Sequence, residues 1–150
     1  MRKILYIIFF FSTTFNTAAQ VEKRDSLLGL LQAAKDDTGK VMLLLNIADT
    51  YEASNQDSSI YYLERSKQLS VGLKFKRGIY HYYEQSAIVS FTKGDYNLSM
   101  LQSNSALEIA RELKDSGLVI NMLNNTGIVY QYLGQFDRQL EYTLQALEIA

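Results

Sequence analysis

The 150-residue sequence contains neither cysteine nor proline and has a single histidine, His81. Without cysteine the chain forms no disulfides and has no thiolate to act as nucleophile or metal ligand. One histidine alone does not supply the ligand set of a zinc or other transition-metal site, so we expect no metal site and no cofactor. The absence of proline leaves every backbone N–H available for helical hydrogen bonding, which suits long helices joined by short turns.

An excess of either charge is also missing, because 15 Lys and Arg residues oppose 16 Asp and Glu residues for a net charge of −1. A balanced surface creates no broad electrostatic field that would attract nucleic acid or an anionic membrane. We therefore expect no nucleic-acid partner. The hydrophobic fraction of 47% is sufficient for a packed core in a chain of this length.

Catalytic motifs are absent from the sequence too. It has no glycine-rich phosphate loop, no nucleophile elbow and no serine, histidine and aspartate ordering typical of a triad. His81 stands beside tyrosines in the segment 80–83, where a lone histidine is most often a partly exposed packing residue. We predict no catalytic residue, and an enzyme is the least favoured class of function.

What the sequence does contain is an internal repeat of forty residues. The pentapeptide Ala-Leu-Glu-Ile-Ala occurs at 106–110 and again, unchanged, at 146–150. Gly94-Asp95-Tyr96 and Gly134-Gln135-Phe136 stand at the same interval. Apolar residues at helical spacing surround both glycines, and glycine is the residue that most readily ends a helix in the left-handed conformation. Small side chains recur at one further site, at Ala48, Ala87 and Gly127.

This succession of a small residue, an aromatic residue, a glycine turn, a second aromatic residue and Ala-Leu resembles the tetratricopeptide repeat (TPR) over residues 40–150. The usual TPR unit has about 34 residues. The longer unit here resembles the TPRs with a long second helix in kinesin light chains and bacterial signalling proteins. The resemblance implies an all-α fold, namely a right-handed superhelical stack of antiparallel helix pairs preceded by one capping helix.

We expect the capping helix at about 25–35, with Asp25 and Ser26 at its start, and the repeats at about 40–73, 78–115 and 117–150. The last pair has no polar helix to cover its apolar edge, and helical arrays need such a terminal cap for solubility. We therefore expect the array to continue beyond residue 150.

The amino-terminal segment has the layout of a secretory signal peptide. Arg2 and Lys3 precede an apolar run at 4–11, and the small residues Thr17 and Ala19 stand three and one positions before a cleavage site at Gln20. A membrane anchor is the alternative, but the run is too short to span a bilayer. We predict that 1–19 is a signal peptide and that the protein is secreted across the inner membrane into the periplasm.

TPR stacks bind other chains on the concave face that their first helices form. The resemblance places ten residues in this candidate peptide-binding site: Asn46, Asp49, Glu84, Gln85, Ile88, Phe91, Asn124, Asn125, Ile128 and Gln131. Asn46, Gln85 and Asn125 occupy equivalent positions, where peptide-binding TPRs carry the asparagine that holds peptide backbone. The alternative is that these amides bond to the backbones of neighbouring helices.

The expected charge of the partner follows from the same alignment. TPRs that clamp a carboxylate tail use lysine and arginine at positions held here by Leu45, Glu84 and Asn124. An anionic tail would instead meet the carboxylates of Asp49 and Glu52. We therefore expect a protein or extended peptide that is neutral or cationic, not acidic.

Two classes of function remain open at this point. The signal peptide, leucine-rich lead helix and long repeats resemble the extracytoplasmic amino-terminal part of bacterial TPR sensor histidine kinases and related regulators. In this reading the chain is a sensory or scaffolding module, and any membrane segment or kinase output would lie beyond residue 150. The alternative is a free periplasmic scaffold for envelope or uptake proteins.

Overall fold

The computed structural model describes residues 20–150, so the predicted signal peptide at 1–19 lies outside the described residues. All regular secondary structure in residues 20–150 is helical, which confirms the expected all-α class. The described part of α1 covers 20–33. The helices that follow are α2 (Thr38–Tyr51), α3 (Gln56–Gly72), α4 (Lys76–Thr92), α5 (Tyr96–Glu112), α6 (Ser116–Tyr132) and α7 (Phe136–Ile149).

Helices α2 to α7 form three consecutive hairpins. Helix α2 packs on α3, α4 on α5 and α6 on α7, while α3 on α4 and α5 on α6 connect one hairpin to the next. The helices of a hairpin are antiparallel, since Lys76 at the start of α4 reaches Glu112 at the end of α5, with an N···O distance of 2.7 Å. The chain is therefore a stack of helix pairs, as the repeat predicts.

The connections between helices follow one geometry from α3 onwards. Lys74, Gly94, Lys114 and Gly134 adopt the left-handed conformation, with φ of 54°, 79°, 54° and 71°. At each, the next residue donates its N–H to a carbonyl five positions back, as Asp95 does to Ser90 at 2.9 Å. This pattern is the Schellman motif, which satisfies carbonyls that a helix end leaves free. Since α4, α5 and α6 each have 17 residues, the chain reverses direction at regular intervals.

Four helices begin at a side-chain cap. Asp37, Asn55, Asp95 and Asp115 each accept a hydrogen bond from a backbone N–H in the first turn of the helix that follows. Such caps satisfy donors that have no partner within the helix. Asp115 also accepts a bond of 2.7 Å from Arg77 on α4. These bonds from Arg77 and from the Leu118 N–H lower the pKa of the Asp115 carboxyl, so it stays charged where it links α4 to α6.

Helix α1 differs from its expected bounds. The chain is already helical at residue 20, so Asp25 and Ser26 lie inside the helix and do not cap it. Two residues that precede the expected start contact the end of α2. Lys23 lies 3.6 Å from the carboxylate of Asp49. The guanidinium of Arg24 lies 4.7 Å from the centre of the Tyr51 ring.

The core between the helices is built largely from small side chains. Two clusters of apolar residues contain Leu63, Leu107 and Leu123 together with several alanines. Small polar residues are buried among them, namely Thr50, Ser59, Ser66, Ser70, Ser86, Ser90, Ser99, Ser103 and Thr126. Several of these hydroxyls donate to carbonyls of their own helix, as Ser66 does to Leu63 at 2.7 Å. The buried hydroxyls therefore reduce side-chain volume at helix crossings without losing hydrogen bonds.

Two glycines lie at helix crossings of different tightness. A Cβ atom added at Gly78 would lie 2.4 Å from Ser70 Oγ, 2.7 Å from Phe75 Cδ1 and 2.8 Å from Val41 Cγ1. At Gly127 the nearest atom would be the backbone oxygen of Gln139, at 3.7 Å, which is ordinary contact. The repeat alignment draws attention to Gly127, yet the crossing that requires glycine is the one at Gly78.

These distances predict opposite effects for two identical substitutions. Gly78→Ala should lower the free energy of unfolding by about 1–3 kcal/mol, because the added methyl overpacks a site whose neighbours are buried. Gly127→Ala should be neutral or should raise stability by up to about 1 kcal/mol, because alanine favours the helix and its methyl fits. Urea unfolding followed by circular dichroism measures both. Equal losses in the two variants would contradict this account of the crossings.

Candidate functional site

The ten predicted site residues all lie on the first helices of the three hairpins. Asn46 and Asp49 are on α2, Glu84 to Phe91 are on α4, and Asn124 to Gln131 are on α6. Four of them are exposed polar residues, namely Asn46, Asp49, Asn124 and Gln131. The structure brings four others together around one pocket.

This pocket lies between α4, α5 and α6 and has a volume of about 160 Å³. Its lining consists of Ala87, Ile88, Phe91, Ser99, Ser103, Asn125, Ile128 and Val129. Ile88, Phe91, Asn125 and Ile128 are residues that the repeat alignment placed in the groove. A cavity of about 150 Å³ lined by aliphatic and aromatic groups accommodates a benzene molecule. The pocket is therefore large enough for one apolar side chain of a ligand.

The floor of the pocket includes two residues that sequence reasoning missed. Ser99 and Ser103 belong to α5, the second helix of its hairpin, whereas the alignment selected only first-helix positions. The Ser99 hydroxyl donates to the carbonyl of Ala87 at 2.8 Å, so it is already satisfied. No sequence signal marks these two serines, because small residues are buried at many other positions of the helices.

The three equivalent amides have different environments. Asn46 is exposed and Asn125 is half-buried at the pocket. Neither forms a side-chain hydrogen bond with another of residues 20–150. The Oε1 atom of Gln85 is buried, and within the same range it has no hydrogen-bond partner. These amides are therefore not used by neighbouring helices in the part of the chain described, and those of Asn46 and Asn125 are accessible to a ligand, whereas Gln85 Oε1 is enclosed.

The groove changes character from α2 to α4. Asp49 on α2 and Glu52 at the carboxyl-terminal cap of α2 occupy the repeat positions that Ile88 and Phe91 occupy on α4. Burial, and then the neighbouring Asp49 carboxylate, raise the pKa of Glu52. Lys23 of α1 approaches Asp49 to 3.6 Å and offsets part of this negative charge. One end of the candidate site is consequently acidic and the other end is apolar.

Glu84 is held by bonds within the protein. Its carboxylate accepts from Tyr80 Oη at 3.2 Å and from His81 Nδ1 at 2.8 Å. Asn121 Nδ2 of α6 donates to the same carboxylate and to Tyr80 Oη, the latter at 3.2 Å. Burial raises the pKa of the Tyr80 hydroxyl well above its usual value, so it remains a neutral donor. Glu84 and His81 thus belong to a network that joins α4 to α6.

An aromatic cluster borders the pocket. The rings of Phe91 and Tyr132 meet edge to face with centroids 4.8 Å apart, and Tyr96 lies 5.5 Å from Phe91. Tyr132 is 65% exposed, so most of its side chain is accessible to solvent. Aromatic side chains of this kind, with one polar tip, are common in binding sites.

Within residues 20–150, no group of three or more histidine, cysteine or acidic side chains could hold a metal ion. In the same range, no helix has both the length and the hydropathy needed to cross a membrane.

No protein-family model matches the chain. A comparison with curated proteins finds no match either. Among solved structures, the chain is similar to a Signal Transduction ATPase with Numerous Domains (STAND) protein with a tetratricopeptide repeat sensor from Pyrococcus horikoshii, with TM-score 0.74 and 18% identity over 89% of this chain. It is also similar to BtubC (BKLC) from P. vanneervenii, with TM-score 0.68 and 17% identity over 89% of this chain.

The chain spans 22% of the length of the first of these proteins and 55% of the second. At such low identity, the likeness concerns the fold and not the activity of either protein. Together with the stacked hairpins, it shows that this chain has a TPR-like helical-repeat fold.

The network around Glu84 predicts unequal roles for two asparagines three residues apart on α6. Asn121→Ala removes the donor that links α6 to Glu84 and Tyr80, and should lower the free energy of unfolding by about 1 kcal/mol. Asn124→Ala, at an exposed position on the same helix, should change it by less than about 0.5 kcal/mol. Urea unfolding of the two variants makes the comparison. If Asn124→Ala were the more destabilising, the network would not connect the repeats.

Proposed function

We propose that this protein is a binding module that holds a protein or extended peptide segment in the groove formed by α2, α4 and α6. The observation that carries the proposal is the pocket of about 160 Å³, where Ile88, Phe91, Asn125 and Ile128 from two first helices converge. An apolar pocket with a polar group beside it can bind a side chain and orient the backbone that carries it. The amide of Asn125 can both donate and accept, as peptide backbone requires.

The electrostatics of the groove favour a neutral or cationic partner. No basic residue lines the pocket, and the α2 end presents Asp49 and Glu52. Complementary charge assists association and suppresses partners of the wrong sign. An acidic segment would have no cation to pair with along the pocket itself. Nucleic acid is disfavoured for the same reason.

We further propose that the module acts outside the cytoplasm, as the sensory or scaffolding part of a signalling protein. The support is the signal-peptide layout of 1–19 and the resemblance of the forty-residue repeats to long-second-helix TPRs of bacterial sensor kinases. The P. horikoshii protein of similar fold carries a tetratricopeptide repeat sensor in its own signalling chain. In this proposal the present chain contributes binding and no catalysis.

The groove assignment is tested with peptides selected against the purified protein from a library displayed on phage. The variant Asn46→Ala/Gln85→Ala/Asn125→Ala should weaken binding of a selected peptide about 30-fold, because the lost contacts of the accessible amides of Asn46 and Asn125 contribute about 1 kcal/mol each. Isothermal titration calorimetry gives the affinities. Circular dichroism should show unchanged helix content, since these amides bond to no described neighbour.

A matched control replaces three exposed amides on second helices, in the variant Gln68→Ala/Asn97→Ala/Asn104→Ala. This control should bind the same peptide with unchanged affinity. Crosslinks from the peptide to Tyr61 or Gln102, on second helices, would place the ligand on the other side of the stack and refute the groove.

Export is tested separately by the amino terminus of the protein. If 1–19 is a cleaved signal peptide, protein recovered from the periplasm should begin at Gln20. Edman sequencing or intact mass spectrometry identifies this terminus. Soluble cytoplasmic protein that still begins at Met1 would exclude the extracytoplasmic role while leaving the groove assignment in place.

A further inference from the structure

A pair of tyrosines connects the two helices of the first hairpin and of the third. In the first hairpin, the rings of Tyr51 on α2 and Tyr62 on α3 stack with their centroids 5.7 Å apart. In the third hairpin, the equivalent residues are Tyr130 on α6 and Tyr142 on α7, whose ring centroids lie 5.3 Å apart. In both hairpins, two aromatic rings therefore occupy this position of the repeat.

The middle hairpin has smaller, polar residues at the same two positions. Ser90 stands three residues after the recurring small residue of the first helix, where the other hairpins have tyrosine. Gln102 lies forty residues from both Tyr62 and Tyr142. The Ser90 hydroxyl donates to Gln102 Oε1 at 2.7 Å, so the pair still connects its helices. Serine and glutamine have much less volume than two tyrosines, so the middle hairpin retains space that its neighbours fill.

A second pocket lies in this space. It has a volume of about 220 Å³ and is bounded by α3, α4 and α5, and both Ser90 and Gln102 line it. The other lining residues are Ile60, Leu63, Glu64, Tyr82, Ser86, Val89, Lys93 and Leu98. Helix α2 precedes these helices and α6 follows them, so the pocket belongs to the interior of the stack.

The size and the walls of this second pocket suit one substituted aromatic ring. A cavity of about 150 Å³ lined by aliphatic and aromatic groups accommodates benzene, so the larger pocket has room for a ring with a substituent. Ile60, Leu63, Val89 and Leu98 provide apolar contacts for it. The neighbouring hairpins show that a phenol ring is the group that this position of the repeat accommodates.

Polar groups in the second pocket have bonding capacity that the protein does not use. Within residues 20–150, Gln102 Nε2 forms no hydrogen bond, and neither does the hydroxyl of Ser86, which is only 7% exposed. The carboxylate of Glu64 accepts from Tyr82 Oη through one oxygen, at 2.6 Å, and its second oxygen has no donor within the same range. A ligand hydroxyl can therefore donate to the carboxylate and accept from the amide.

The charges of the lining favour an uncharged ligand. Glu64 and Lys93 contribute one charge of each sign, and the other lining residues are neutral. A carboxylate ligand would meet Glu64, and an ammonium ligand would meet Lys93. A phenol is neutral at physiological pH, since its pKa is about 10, and it is a good donor to a carboxylate.

We propose that this second pocket is a binding site for a small uncharged phenol, whose ring takes the place of the missing tyrosine pair and whose hydroxyl bonds to Glu64 and Gln102. The second helices α3 and α5 form much of this site, whereas the first helices form the peptide groove. Phenol binding therefore goes beyond the proposed peptide binding and does not depend on it.

The probes are para-cresol, which is the side-chain analogue of tyrosine, and methylcyclohexanol, which has the same heavy atoms in a saturated ring. Heteronuclear NMR titration of the purified protein should give a Kd of about 1 mM or lower for para-cresol. Methylcyclohexanol should bind at least about five-fold more weakly, because its ring is thicker and its hydroxyl is a poorer donor. The shifted amide signals should include those of Leu63 and Gln102 and should not concentrate around Ile128 in the groove.

Variants locate the binding. Ser90→Tyr/Gln102→Tyr gives the middle hairpin the residues of its neighbours, so it should abolish para-cresol binding and retain the helix content measured by circular dichroism. The matched control Asn97→Tyr/Asn104→Tyr adds two tyrosines at exposed positions of α5 outside the pocket and should bind as the unchanged protein does. Glu64→Gln should weaken para-cresol binding about five-fold, because it removes a charge-assisted hydrogen bond without removing volume.

Four results would overturn the proposal. In the first, para-cresol causes no shifts up to about 10 mM, well above the expected Kd. In the second, its affinity is unchanged in both Ser90→Tyr/Gln102→Tyr and Glu64→Gln. In the third, methylcyclohexanol binds as tightly as para-cresol. In the fourth, the shifts map to the groove around Ile128, which would assign the phenol to the other pocket.

Discussion

Close approach of neighbouring helices is the constraint on which this fold depends. Each interior helix must pack against helices on two sides, and it does so through alanine, serine, threonine and glycine at the crossings. Serine serves here because its hydroxyl can bond to a carbonyl of its own helix, as Ser70 does to Ser66 at 2.7 Å. Small side chains bring the backbones together, and the larger leucines and tyrosines then fill the spaces between crossings.

The candidate site is a consequence of the same packing. Ala87, Ser99 and Ser103 are too small to fill the space between α4, α5 and α6, and the larger Ile88, Phe91 and Ile128 enclose it. In the first repeat, the positions equivalent to Ile88 and Phe91 are occupied by the carboxylates of Asp49 and Glu52. The stack therefore combines one apolar pocket with one acidic end, although its backbone repeats almost regularly.

Much of this arrangement could be predicted from the repeat, because position within the repeat determines which side of a helix a residue occupies. The alignment assigned Ile88, Phe91, Asn125 and Ile128 to one side of the first helices in this way. The serines of the pocket floor could not be found, since the space beside a small residue depends on the conformations of its neighbours. Similarly, the sequence shows the charge of Glu84 but not the three donors that surround it.

The turns between the helices are another feature that the sequence predicts only in part. Gly94 and Gly134 mark left-handed residues in the sequence, because glycine adopts this conformation without steric cost. Lys74 and Lys114 adopt it as well, with φ of 54° at both. No residue type marks these two turns, so their Schellman geometry becomes visible only in the structure.

The hydrogen bonds between repeats also bear on how the chain folds. The longest sequence separation among these side-chain bonds within residues 20–150 is 41, between Asn121 and Tyr80. Because no bond in this set spans much more than one repeat, each loop that must close on folding is short compared with the whole chain. A stack held by neighbour-to-neighbour contacts can also gain or lose one hairpin at a time. We therefore expect such a stack to extend under mechanical load in steps of one hairpin.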